Sequence, residues 1–304
     1  MFGKKPSSNP ETNHDMTGLI KVSGCDNPNR RGDVIFVHGL AGHPWYTWHW
    51  QKPEDKDYQQ DDFWLKWLGE EFPDIGIWTF GYSAAQFWPQ GSSMPLLDLA
   101  NYFLYQLEIH DIGNRPIIFI THSMGGLLVK KMLRTAMDFP EVKSKRIVIE
   151  STKGIVFLST PHQGSDVANW VQFLAGIVAG DNVKELIPND PQLRELHRFY
   201  RQWVEELKIK TQVFFETERT NGVYVVTESS ADPDIKNVQA IPVPQADHNS
   251  IVKLKPRDNH VYPGIKKFIG ECLIKPKALP PGDPNLDNLP QTTPEKNINP
   301  HQAL

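Results

Sequence analysis

The chain has 304 residues, of which 39% are hydrophobic and 22% charged, a composition typical of a globular protein with a large buried core. Its formal net charge of −4 argues against general nucleic-acid binding, which needs a basic field. The two cysteines, Cys25 and Cys272, form neither a CxxC pair nor a disulfide framework. We therefore expect free thiols and a reducing, cytoplasmic compartment.

Polar, proline-containing segments at both ends of the sequence predict three parts. Residues 1–17 are predicted to be a disordered N-terminal tail, residues 18–275 one α/β domain, and residues 276–304 a Pro-rich disordered C-terminal tail. The first residues lack the apolar core of a secretory signal, and no apolar run has the length of a membrane span. The longest apolar stretch, 171–179, is long enough only to touch a bilayer surface, so peripheral membrane contact stays open.

Within residues 18–275, short apolar runs alternate with longer helical patterns. The predicted strands, in chain order, are 33–37, 75–80, 116–121, 154–159, 211–216 and 238–243. The predicted helices are 63–72, 96–109, 125–137 and 192–207, with a further helical segment near the end of the domain. Strands that are apolar along their whole length and alternate with helices indicate a mostly parallel central sheet with helices on both faces.

The segment Thr121-His122-Ser123-Met124-Gly125-Gly126 lies between a predicted strand and a predicted helix. This is the context of a nucleophile elbow, a sharp turn that holds a serine at its tip while small residues let strand and helix approach. Ser123 is therefore the candidate nucleophile. Thr121 stands where the usual elbow has its first glycine, which is a departure from the pattern.

A glycine-rich turn, His38-Gly39-Leu40-Ala41-Gly42, follows the first predicted strand. Beside a nucleophile elbow, such a turn supplies one backbone N–H of an oxyanion hole, and the residue after the serine supplies the other. Leu40 and Met124 are the predicted donors. The next loop, 42–50, holds three tryptophans and a tyrosine, which either line an acyl cleft or pack beneath the loop.

Two histidines are candidates for the base that activates Ser123. His248 follows the last predicted strand and fits the order serine, acid, histidine along the chain. A neutral imidazole can take the serine proton at physiological pH. His162, in Thr160-Pro161-His162, comes too early in that order, so we interpret it as a structural or cleft-lining histidine.

The acid that would orient His248 has several candidates. Glu216 is favoured because it ends the strand 211–216, which precedes the one leading to His248. A position a few residues further on is more usual, but Thr220–Asn221 holds no carboxylate. The alternatives that the sequence leaves open are Asp232, Glu218 and Glu228.

The stretches DVIFVHGLAGHPWYTW, ITHSMGGLLVKKML, GIVFLSTPHQGS, VFFETERT and ADHNSIVK together carry a family resemblance over residues 30–272. The sequence resembles the serine esterases and lipases of the α/β-hydrolase class. Within that class it is similar to the serine-active-site-containing proteins and the GPI inositol-deacylase-like lipases. The resemblance implies an α/β-hydrolase fold with a small cap region. It also implies Ser123 as nucleophile, His248 as base, Glu216 as acid, and Leu40 and Met124 as oxyanion donors.

The function expected from these motifs is hydrolysis of a carboxylic ester of a lipid or other acyl substrate through an acyl-enzyme. An acyl thioesterase, or a hydrolase-fold interaction module with little turnover, is the alternative. No cofactor or metal is expected, because the sequence has no phosphate-binding glycine loop and no metal-ligand spacing. The apolar residues Phe87 and Trp88 and the stretch 170–179 are expected to form the cap.

Overall fold

A computed structural model of the chain describes residues 16–82, 96–162, 173, 191–255 and 261–274. Both predicted tails, apart from residues 16 and 17, lie outside these ranges. The predicted cap also lies outside them, apart from Phe173. The three-part division of the chain therefore stays a prediction.

The predicted strands and helices are present, with bounds within two residues of those expected. The strands of the described residues are β1 Gly18–Ser23, β2 Asp33–Val37, β3 Gly76–Gly81, β4 Ile117–His122, β5 Thr152–Leu158, β6 Lys210–Glu216 and β7 Ala240–Val243. The helices are α1 Trp64–Glu71, α2 Leu96–Ile109, α3 Met124–Met137, α4 Lys143–Ser151, α5 Pro191–Glu206, the one-turn α6 Glu228–Ala231 and α7 Val261–Leu273. The sequence did not predict β1, α4 or α6.

The described strands form one sheet in the order β1-β3-β2-β4-β5-β6-β7. All neighbouring pairs are parallel except β1 and β3, which pair antiparallel at the edge. The prediction of a mostly parallel sheet is thereby confirmed. Because parallel strands end at the same edge of a sheet, the loops after β2, β4, β5, β6 and β7 all leave from one edge.

Alternate strand residues pack on opposite faces of the sheet. Ile35 and Phe119 belong to a cluster that includes buried residues of α2, α3, α4 and α5. Phe36 and Ile120 belong to a second cluster, with buried residues of α1 and α7. Helices therefore cover both faces, which explains why the strands are apolar along their whole length.

The aromatic residues after β2 pack beneath their own loop. Trp48 is fully buried, with ring centroids 5.2 Å from Phe36 and 5.8 Å from Trp64. The indole N–H of Trp45 donates to the carbonyl of Gln60 at 3.2 Å. Of the two interpretations that the sequence left open for this loop, these contacts favour packing over an acyl cleft.

A buried ion pair anchors the start of β2. Asp33 is fully buried, and its Oδ1 accepts hydrogen bonds from Arg30 Nε at 2.7 Å and from Trp78 Nε1 at 2.8 Å. The neighbouring pair, Arg31 and Asp74, is exposed. Arg30 and Arg31 are therefore adjacent residues, one in a buried ion pair and one in an exposed ion pair, and substituting each in turn compares the contributions of the two pairs to stability.

Arg30→Met is expected to lower the free energy of unfolding by about 3 kcal/mol, because it leaves the Asp33 carboxylate buried without its cation. The matched control, Arg31→Met, should cost less than about 1 kcal/mol, since its ion pair is screened by solvent. Urea unfolding followed by tryptophan fluorescence measures both. Equal effects of the two substitutions would contradict the role given to Arg30.

Candidate active site

Ser123 lies at the sharp turn between β4 and α3. Its backbone has φ 51° and ψ −123°, a conformation that residues other than glycine rarely adopt. The Ser123 N–H donates to the Leu158 carbonyl at 2.9 Å, and Thr160 Oγ1 donates to the Ser123 carbonyl at 3.0 Å. The end of β5 and the loop after it thus hold both sides of the strained turn.

Thr121 and Gly125, two residues before and two residues after Ser123, fit the close packing of β4 and α3 against their neighbours. A Cβ at Gly125 would lie 2.3 Å from the carbonyl oxygen of Val37, so only glycine fits there. Thr121 is fully buried in β4, and its hydroxyl donates to the Val156 carbonyl at 2.9 Å. A threonine at this position therefore leaves its hydroxyl group satisfied, which accounts for the departure from the usual motif.

His248 meets both Ser123 and Glu216 through its two ring nitrogens. Nε2 lies 2.9 Å from Ser123 Oγ, and Nδ1 lies 3.3 Å from Glu216 Oε1. All three residues are buried, with exposed fractions of 3% for Ser123 and 1% for each of the others. If Nδ1–H donates to the carboxylate, Nε2 presents its lone pair to the hydroxyl, which is the arrangement that accepts a serine proton.

Glu216 is the candidate acid that the structure brings to His248. It is the last residue of β6, and its Oε1 also accepts the backbone N–H of Val226 at 2.6 Å. This second hydrogen bond fixes the carboxylate oxygen that faces the imidazole. The three alternative acids all have exposed side chains: Glu218, Glu228 and Asp232.

The two predicted oxyanion donors lie on backbone segments that flank Ser123. Met124 is the first residue of α3, where helix N–H groups lack partners within the helix. Leu40 follows Gly39, and a Cβ at Gly39 would lie 2.9 Å from the Cβ of Ser123. The turn after β2 therefore passes directly against the nucleophile candidate, and the oxyanion role of the two N–H groups stays a prediction.

Phe173 is the described residue of the predicted cap. It is buried, and its ring lies edge-on to His248 with centroids 4.9 Å apart and an interplanar angle of 69°. An apolar side chain thus contacts the imidazole of His248. Such a lining is typical of sites that bind apolar groups.

His162 interacts with Lys130, a residue that the sequence did not single out. The side chain of Lys130, on α3, is fully buried and forms a hydrogen bond with His162 Nδ1. Lys130 Nζ also lies 4.8 Å from the ring centroid of Tyr200. Burial lowers the pKa of Lys130 to about 7, and burial together with nearby Lys130 lowers the pKa of His162 well below its usual value. These contacts fit the structural interpretation of His162.

No group of three or more His, Cys, Asp and Glu side chains in the described ranges is arranged to hold a metal ion. Nor does any helix of that part of the chain have the length and apolar character needed to cross a membrane.

The fold is similar to that of solved hydrolase structures. Phospholipase PlaB from Legionella pneumophila superposes with a TM-score of 0.55 at 15% identity, over 80% of this chain and 59% of that one. The likeness concerns the fold alone, and it identifies the sheet described above as an α/β-hydrolase fold, as predicted.

Residues 33–189 match the family described as "Putative serine esterase (DUF676)". The match covers just over half of the chain, which therefore belongs to that family. Protein SERAC1 of Homo sapiens is 33% identical over 266 residues, covering 81% of this chain and 39% of the relative. Protein SERAC1 of Danio rerio is 32% identical over 266 residues, with 80% and 39% covered. The chain spans about two fifths of the length of these relatives.

Gly125→Ala is expected to lower the free energy of unfolding by about 2 to 3 kcal/mol, because the added methyl group must push α3 away from β2. The control is Gly270→Ala in α7, where a Cβ would meet nothing within 4 Å. That substitution should raise stability by about 0.5 to 1 kcal/mol, since alanine loses less backbone entropy than glycine in a helix. Thermal unfolding measures both, and a stabilised Gly125→Ala protein would contradict the close approach.

Acid is expected to destabilise the protein as the pH falls from about 6.5 towards 4. Burial lowers the pKa of His38 and of His197 to about 4, and that of His122 well below its usual value. In this window the unfolded chain therefore binds protons that the folded chain does not. The thermal midpoint should fall with pH in wild type and fall less in His197→Gln. A midpoint that stays constant between pH 7 and pH 5 would contradict the neutral state of these histidines.

Proposed function

We propose that the protein is a serine hydrolase that cleaves a carboxylic ester of a lipid or another acyl substrate. The observation that carries the proposal is the chain of hydrogen bonds from Ser123 through His248 to Glu216, buried at the carboxyl edge of the sheet. Membership of a serine esterase family supports the same chemistry. Both observations concern the reaction type, whereas the lining of the site bears on the substrate class.

The proposed reaction is acyl transfer through two tetrahedral intermediates. Ser123 Oγ attacks the ester carbonyl carbon while its proton passes to His248 Nε2. The N–H groups of Leu40 and Met124 hold the developing oxyanion, and His248 returns the proton to the leaving alcohol. Water then attacks the acyl-enzyme, with His248 again taking the proton, and releases the carboxylic acid. Glu216 stabilises the imidazolium that forms in both steps.

Apolar side chains near the reacting atoms favour an acyl group as substrate. Phe173 contacts the imidazole of His248, and Leu40 and Met124, on the backbone segments that flank Ser123, are buried apolar residues. A peptide or sugar would leave polar groups unsatisfied against such a lining, whereas an acyl chain gains from losing its contact with water.

A chain-length series of p-nitrophenyl esters, with matched acyl-CoA thioesters, tests the proposal. We expect turnover of the esters, with kcat/KM rising with acyl length. Higher kcat/KM for the thioesters would favour the acyl thioesterase instead. No turnover of either series by a folded protein would contradict the proposal and favour the interaction module.

The acid can be identified by carboxamide substitution. Glu216→Gln should lower kcat by about 1,000-fold or more, because an amide in place of the carboxylate no longer stabilises the imidazolium. Ser123→Ala and His248→Ala should reduce kcat at least as far. Glu218→Gln, at the exposed carboxyl two residues away, is the matched control and should retain wild-type kcat. Ester hydrolysis measures all four, and a Glu216→Gln protein of full activity would assign the acid elsewhere.

A further inference from the structure

His248 is the member of the Ser123–His248–Glu216 set that lies in an irregular loop. Glu216 ends β6 and Ser123 joins β4 to α3, whereas His248 lies between β7 and a short 3₁₀ turn, Ser250–Val252. Loops are on average more mobile than the sheet that supports them. The 2.9 Å contact between His248 Nε2 and Ser123 Oγ therefore requires interactions that fix the backbone of the loop around His248.

Both main-chain polar groups of His248 have side-chain partners. Its N–H donates to Thr220 Oγ1 at 2.9 Å, and its carbonyl accepts from His122 Nε2 at 2.8 Å. These hydrogen bonds connect residues 28 and 126 positions apart in the chain. We call the pair of bonds the main-chain clamp.

Thr220 stands on a tight hairpin that gives its hydroxyl a fixed place. Its N–H and carbonyl are hydrogen-bonded to the carbonyl and N–H of Val223 at 2.8 and 3.1 Å. The two residues between them, Asn221 and Gly222, have φ of 51° and 85°, as a type I′ turn requires. The hairpin occupies the position where the sequence pattern usually has the acid.

The chain that leaves this hairpin also reaches the acid. Val226, three residues beyond the turn, donates its N–H to Glu216 Oε1 at 2.6 Å. One short segment therefore contacts His248 through Thr220 and Glu216 through Val226. A single hairpin thereby sets the positions of the base and the acid relative to each other.

His122 completes the clamp from the nucleophile side. It is the last residue of β4, directly before Ser123, and its ring centroid lies 4.9 Å from that of His248. A Cβ at Gly39 would lie 3.1 Å from His122 Nδ1, so the ring fills the space between the base loop and the turn after β2. Burial, and next the proximity of His248, lower the pKa of His122 well below its usual value. The ring is therefore neutral and adds no second positive charge beside the imidazolium that would form on His248.

We propose that Thr220 and His122 are positioning residues that hold the imidazole of His248 in line with Ser123 by clamping its main chain. The proposal rests on the proposed function. Neither side chain is placed on the reacting atoms, so both act through His248. Their loss should slow the chemical step while leaving substrate binding close to normal.

Paired substitutions separate positioning from folding. Thr220→Val keeps the shape of the side chain and removes the acceptor, while Thr220→Ser keeps the hydroxyl. His122→Leu removes the donor, while the amide of His122→Gln retains an N–H that can reach the same carbonyl.

Thr220→Val and His122→Leu should lower kcat by about 10- to 100-fold with KM changed less than about threefold. Thr220→Ser and His122→Gln should restore kcat to within about threefold of wild type. Rates are expressed per folded molecule, from the thermal unfolding curve of each variant.

A second measurement does not depend on turnover. The proton between His248 Nδ1 and Glu216 should give a downfield proton NMR resonance in wild type, Thr220→Ser and His122→Gln, assigned by its absence in His248→Ala. It should broaden or vanish in Thr220→Val and His122→Leu, because a released loop lets the ring move away from the acid.

An unchanged resonance in those two variants, or full kcat with a lower thermal midpoint, would overturn the clamp. A wild-type protein that shows the resonance but hydrolyses no ester would instead contradict the proposed function and leave the clamp as a structural feature.

Discussion

The strained turn at Ser123 is the constraint on which the rest of the site depends. A serine with φ 51° costs about 1 to 3 kcal/mol relative to a relaxed conformation, so the surrounding structure must hold it there. The hydrogen bonds of Ser123 to Leu158 and Thr160 do this from the side of β5. From the other side, α3 approaches β2 so closely that position 125 accepts only glycine. Held in this way by strand, helix and neighbouring loop, Ser123 places its hydroxyl 2.9 Å from His248 Nε2.

The parallel sheet brings the other groups to the same place. β2, β4 and β5 are neighbours, so the glycine-rich turn, the strained serine and the Thr160 loop all leave the same edge. Beyond β5 in the sheet, Glu216 at the end of β6 pairs in register with Val243 at the end of β7. The acid therefore lies beside the end of the strand that leads to His248. Residues far apart in sequence therefore meet because their strands are adjacent and end together.

Much of this could be predicted from the sequence, because the features that define it are local. The buried strands are continuous apolar runs, and the two glycine-rich turns follow directly from two of them. Strand β1 was missed because it is an edge strand in which Lys21 is exposed and Ser23 half-buried, so it lacks the continuous apolar run of the inner strands. Thr220, His122 and Lys130 carry no local signal, since their roles rest on contacts between distant segments. A buried face of α3 is visible in the periodicity, but the partner of Lys130 on that face is not.

The most direct test of the account is to locate a covalent adduct. The folded protein is treated with a fluorophosphonate, and its intact mass and peptide masses are measured. We expect a single phosphonyl group on the peptide that contains Ser123, because only a hydroxyl activated by a neighbouring base attacks such a reagent at neutral pH. A folded protein that gains no phosphonyl group, or gains one at another residue, would contradict the assignment of Ser123 as nucleophile.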